Sequence, residues 1–114
     1  MNTDYELLTL AAMAINGGVW HPLTHSQKWQ PLRNHKQAVA LRHALRLTTG
    51  FDDRFSELGA CMYATYPTGA HSCDSIMQNI DEAGGKRAAL RRAIVRAAAE
   101  VQKMKLETST GDPQ

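Results

Sequence analysis

Trp29-Gln30-Pro31-Leu32 runs through a short polar turn, Arg33-Asn34-His35-Lys36, into Gln37-Ala38-Val39-Ala40-Leu41-Arg42-His43-Ala44-Leu45-Arg46-Leu47. The passage reads as the end of a strand that delivers the chain into an amphipathic helix. Pro31 has no backbone N–H to give to a ladder, so a strand should stop at or near it. Asn34 is suited to cap the helix, and Gln37 stands three residues on, the spacing of a capping box. Ala38, Leu41 and Leu45 recur at helical spacing and give the helix a face to bury. The helix is predicted over residues 34–48, with Gly50 closing it.

Toward the N-terminus, Thr3-Asp4-Tyr5-Glu6 forms a second capping box before Leu7, Leu8, Ala11, Ala14 and Ile15, a broad apolar helical face. Asn16-Gly17-Gly18 ends that helix, which is predicted over 4–16. Trp-x-Pro-Leu then occurs at Trp20 and again at Trp29. Two strands joined by a polar turn, Val19–Thr24 and Lys28–Leu32, would pair as a hairpin.

Toward the C-terminus, Phe51-Asp52-Asp53-Arg54-Phe55 reads as a loop whose aromatics pin it to the core. Glu57–Tyr66 reads as a strand, Pro67-Thr68-Gly69 as a turn, and Ser72–Ile80 as the returning strand. Ala60 and Ala64 soften the first of these, and part helix over 57–80 is the competing reading. Gly84-Gly85 breaks the chain before a last helix over 86–105. Leu90, Ile94, Ala97, Val101 and Met104 form its apolar stripe, with Arg92, Arg96 and Lys103 on the opposite face. The sum is an α+β domain over residues 1–106. Its small antiparallel sheet is built from two hairpins and covered by three helices, in the order α-β-β-α-β-β-α. Residues 107–114 are expected to form a disordered tail.

With 114 residues the chain has room for one modest core, and 43% hydrophobic residues fit a globular domain. No apolar run is long enough to span a bilayer, and acidic Asp4 and Glu6 stand where a secretion signal would be basic. A cytoplasmic protein with no membrane partner is the expectation. Cys61 and Cys73 read as small, half-buried thiols, with pairing across a hairpin as the minority alternative. His21 and His25 are separated by Pro22, which prevents a helix from aiming both at one metal, so neither a metal nor a cofactor is expected. The five histidines fit no catalytic spacing, and the acid pairs Asp52-Asp53 and Asp81-Glu82 read as solvated surface. The protein is therefore read as non-enzymatic.

The net charge is only +2, but positive residues gather late, on Lys86, Arg87, Arg91, Arg92, Arg96, Lys103 and Lys105. That face reads equally as solvated surface or as a site for nucleotides, nucleic acid or an acidic protein. No helix-turn-helix signature accompanies it.

Three passages resemble the phage ABA-sandwich domain, a family of small phage and prophage proteins. They are Asp4-Tyr5-Glu6-Leu7-Leu8-Thr9-Leu10-Ala11-Ala12; Trp29-Gln30-Pro31-Leu32 with Gln37-Ala38-Val39-Ala40-Leu41-Arg42; and Arg91-Arg92-Ala93-Ile94-Val95-Arg96-Ala97-Ala98-Ala99-Glu100. The resemblance implies a helix–sheet–helix sandwich and a phage origin, and no catalytic residues. The family's turn after Trp-x-Pro-Leu is usually acidic, whereas here it is Arg33-Asn34-His35-Lys36, so a role for those acids does not carry over.

The resulting expectation is a phage accessory protein, acting in counter-defence in the host cytoplasm by sequestering a phosphate-bearing nucleotide. Inhibition of a host protein is the alternative, and nucleic-acid regulation a third reading. The expected ligand site gathers at the start of the last helix. Gly84 and Gly85 admit close approach, and the first helical amides are unpaired donors. Lys86, Arg87, Arg91 and Arg92 supply charge, Arg33 and His35 complete the pocket if the two helix starts meet, and Trp29 offers a stacking surface. The competing reading of Gly84-Gly85 is a helix stop and restart. A homo-oligomer is expected from an exposed sheet edge, with Trp20, Trp29, Tyr63 and Tyr66 as contact candidates.

Overall fold

The computed structural model describes residues 4–15, 30–52, 59–68 and 71–110, leaving aside the side chains of Tyr5 and of residues 106–110. The expected first hairpin falls outside these residues except at its end, as do Trp20 and Trp29. Along the described chain run α1 (Asp4–Ile15), α2 (His35–Leu45), β1 (Thr48–Asp52), β2 (Cys61–Pro67), β3 (Cys73–Asn79), α3 (Ile80–Ala83) and α4 (Lys86–Thr110). The fold is α+β, and among the described residues the sheet is antiparallel and three-stranded, in the order β1-β2-β3.

The entry into α2 follows from its sequence, with one change. Gln30–Arg33 is a β-turn with Pro31 at its second position, where a fixed φ is favoured, and Arg33 N–H donates to Gln30 O at 2.9 Å. Asn34 caps the helix, its Oδ1 accepting from Gln37 N–H at 3.1 Å. The reciprocal half of the box is redirected. Gln37 Oε1 accepts from the backbone N–H of Gln30, so the side chain staples the helix to the turn before it.

The exit from α2 corrects the sequence reading. The helix stops at Leu45, and Arg46 takes the left-handed conformation at φ 56°. Arg46 N–H donates to His43 O at 3.2 Å and Leu47 N–H to Arg42 O at 3.0 Å. This is a Schellman closure built on arginine, with Leu47 buried beyond it beside Leu41. Gly50 is not the cap. It lies in β1, the segment expected to be helix end and loop, and it stands opposite Tyr63 in the ladder. A Cβ at Gly50 would fall 2.5–2.7 Å from the Tyr63 ring, so this position accepts the ring only because it has no side chain. Phe51, expected to pin the loop to the core, is 46% exposed.

The second hairpin is present as expected, and strand takes the place of the competing helix reading between Cys61 and Asn79. Its register sets Cys61 opposite Asn79 and Cys73 opposite Pro67, at the two ends of the pair. The two thiols are therefore too far apart along the strands to bond, and both are free. Asn79 caps the short α3, which sequence reading merged into the preceding strand and loop. Its Oδ1 accepts from Glu82 N–H at 2.9 Å.

The largest correction concerns α4. Ala93, Ile94, Val95, Ala97, Ala98 and Ala99 are all buried, so the middle of the helix has almost no solvent side. It packs on β2 and β3 and also carries α1 and α2, touching every other described element. Alanine makes this possible, because small side chains let neighbouring backbones approach on several faces at once. The expected stripe of Leu90, Ile94, Ala97, Val101 and Met104 is only one part of what is buried. The helix continues to Thr110, past the expected domain end at 106; residues 111–114 are outside the described set. No helix among the described residues is long and apolar enough to cross a membrane.

Candidate functional site

The Gly84-Gly85 break is a helix stop and restart. Gly84 N–H donates to Asp81 O at 3.2 Å and Gly85 N–H to Ile80 O at 2.9 Å, a second Schellman closure. Both glycines have positive φ, 94° and 132°, and a Cβ at either would meet no atom within 4 Å. Conformation, not close approach, is what requires glycine here.

The basic residues on α4 and around its start are engaged in different ways. Lys86 leans over Phe51, its Nζ 4.6 Å from the ring centroid. That cation–π contact holds the side chain on β1. Arg91, half-buried, donates from Nε to the carbonyl of Leu32 at 3.0 Å, fixing the Pro31 turn to α4. Arg96 donates from Nη1 to Gln78 Oε1 at 2.8 Å and to Met77 O at 3.4 Å. These two guanidiniums bind the fold's own carbonyls, which corrects the picture of a free basic face. Lys103 is paired with Glu100 at 3.4 Å. Arg33 and Arg87 are exposed and carry no partner among the described residues.

Arg33 and Arg92, far apart in sequence, line one cleft of about 400 Å³. The turn before α2 therefore lies against the first two turns of α4, and the Arg91–Leu32 bond is part of the reason. Arg92 is held across the cleft by Asp4 of α1, Nη1 to Oδ1 at 3.0 Å. Glu82 of α3 adds a second carboxylate, and Gln78, only 6% exposed, also lines the cleft. The lining is mostly polar, with Leu32, Ala83 and Ala88 supplying its smaller apolar part. The volume is in the range of small-molecule sites, roughly 300–1,000 Å³.

Of the residues singled out from sequence, Arg33 and Arg92 line this cleft, whereas Lys86, Arg87, Arg91 and His35 do not. His35 is half-buried, and its Nδ1 has no partner among the described residues. Trp29 lies outside the described residues. Sequence reading missed Asp4, taken for a capping residue, Glu82, taken for solvated surface, and Gln78. No periodicity marks Gln78 as buried; only its place on the α4-facing side of β3 does. Among the described residues no three His, Cys, Asp or Glu groups come together in a way that could hold a metal ion. Comparison of the chain with protein-family models, curated proteins and solved structures finds no match.

Proposed function

We propose that this is a non-enzymatic binding protein whose cleft takes a phosphate-bearing small molecule, with a nucleotide as the ligand class. The observation that carries the reading is the convergence of Arg33 and Arg92 on one cleft that also has a small apolar part. Guanidinium forks suit phosphate oxygens, and Leu32, Ala83 and Ala88 offer a surface for a flat ring. The resemblance to the phage ABA-sandwich domain extends this to a phage-encoded counter-defence factor that sequesters a signalling nucleotide in the host cytoplasm.

Calorimetry with mono-, cyclic and oligonucleotides at low and high salt tests the reading. A member of the panel should bind, and Arg33→Ala should weaken it by about 1.5–3 kcal/mol, the loss of a charge-assisted hydrogen bond. Arg87→Ala, which removes an exposed cation outside the cleft, should leave the affinity within about twofold, as a screened surface charge does. An equal loss in both variants would move the site to the start of α4. Absence of binding by every member would favour a host-protein partner.

A homo-oligomer is a second part of the proposal. β1 and β3 each have a neighbouring strand on one side only among the described residues, and open edges invite a second copy. Light scattering that gives the 12.6 kDa monomer mass would contradict this.

A further inference from the structure

The charges lining the cleft balance, and only some of them are available. Arg92 is engaged by Asp4 at 3.0 Å. Gln78 is fixed from behind, its Oε1 accepting from Arg96 at 2.8 Å and its Nε2 donating to Asn79 O at 3.3 Å. Two charged lining groups remain without a partner among the described residues, Arg33 and Glu82. They have opposite sign and come from different elements, the turn before α2 and the short α3.

A ligand that is anionic throughout would satisfy Arg33 and be repelled by Glu82. A ligand with a phosphate at one end and N–H donors at the other satisfies both. A carboxylate accepts two parallel N–H groups side by side, as it does from arginine. Among the purines, guanine offers that pair, its ring N1–H beside its exocyclic amine. Hypoxanthine keeps only the ring N–H, and adenine has an exocyclic amine beside an acceptor. Resting on the phosphate-ligand reading above, we infer that the cleft is selective for a guanine nucleotide, with phosphate at Arg33, the base edge at Glu82 and the ring along Leu32, Ala83 and Ala88. Asp4 is the competing acceptor, but its carboxylate is already shared with Arg92.

Titration calorimetry with 5′-GMP, 5′-IMP, 5′-AMP and inorganic phosphate, at one low salt concentration, tests this. GMP should bind at least about tenfold more tightly than IMP or AMP, the worth of one hydrogen bond to a charged group. Glu82→Ala should erase the preference of GMP over IMP, GMP weakening more than IMP because IMP loses only its ring N–H bond; Glu82→Gln, which keeps one acceptor oxygen, should reduce the preference. Glu82 is exposed, so both variants should melt as the wild type does. If GMP, IMP and AMP bind alike and Glu82→Gln changes nothing, while Arg33→Ala weakens all three, guanine selectivity is overturned and the phosphate reading stands. If neither a nucleotide nor inorganic phosphate binds, both are overturned.

Discussion

The middle of α4 and its first two turns share one sequence style, alanines interleaved with arginines, yet they meet opposite surroundings. Between Ala93 and Ala99 every residue but Arg96 is buried, whereas between Lys86 and Arg92 every residue but Ala89 is exposed or half-buried. In the middle, the sheet lies on one side and α1 and α2 on others, and Arg96 must find acceptors inside the fold, Gln78 and the Met77 carbonyl. Near the start the neighbours fall away, and the space left between the Pro31 turn, α3 and α4 becomes the cleft. What lies within reach, not residue type, decides whether an arginine is part of the framework, as Arg91 and Arg96 are, or left exposed, as Arg33 and Arg87 are.

The largest effect expected from this contrast is in the buried middle. Ile94→Ala, and Leu41→Ala in the facing α2, should each cost about 2–5 kcal/mol in urea denaturation, because both side chains are almost fully buried. A loss under about 0.5 kcal/mol, the scale of surface changes, would place the residue outside the core.

A second pair of variants compares the two regions directly. Ala97→Leu adds bulk where neighbours close in on several sides and should cost about 1–3 kcal/mol. Ala88→Leu adds the same bulk beside the cleft, where it has room, and should stay within about 0.5 kcal/mol. Similar losses at both positions would mean that the helix is packed as tightly at its start as in its middle.

The smallest effect at neutral pH is on Tyr66, which lies against the buried part. Burial, then the carboxylates of Asp74 and Glu100, and a hydrogen bond to Asp74 push its phenol above the ordinary tyrosine value. The protonated phenol is favoured in the folded state. The stability tied to it is therefore full below the unfolded value near 10 and is lost as pH rises from there through the raised folded value. Tyr66→Phe should flatten that alkaline slope, measured by urea denaturation across the range; an unchanged slope would assign it to other groups.

Much of the scaffold could be read from sequence because its signals are local. The capping residue Asn34, the spacing of Ala38 and Leu41, and the turn at Pro67-Thr68 all act within a few residues. β1 was missed because Thr48-Thr49-Gly50-Phe51-Asp52 holds a glycine and an acid, both poor strand residues, and because glycine is the usual helix cap. The actual cap, Arg46 in the left-handed conformation, has no such signature. The burial of α4 was understated because alanine reads first as a helix former, and its arginines read equally as a solvated face or a ligand site because spacing does not show which carbonyls lie within reach. Arg33 and Arg92 were visible as cations. That Gln78, Glu82 and Asp4 would join them depends on the end of β3, the cap at Asn79 and the packing of α1, all of which are tertiary.

Urea denaturation of Arg96→Met beside Arg33→Met tests most directly whether the fold separates framework arginines from available ones. Methionine keeps much of each stem's bulk and removes the guanidinium. Arg96→Met should lose about 1–3 kcal/mol, because the Gln78 amide oxygen inside the fold loses its charged donor, while Arg33→Met should stay within about 0.5 kcal/mol. Equal losses, or a larger loss at Arg33, would contradict the account.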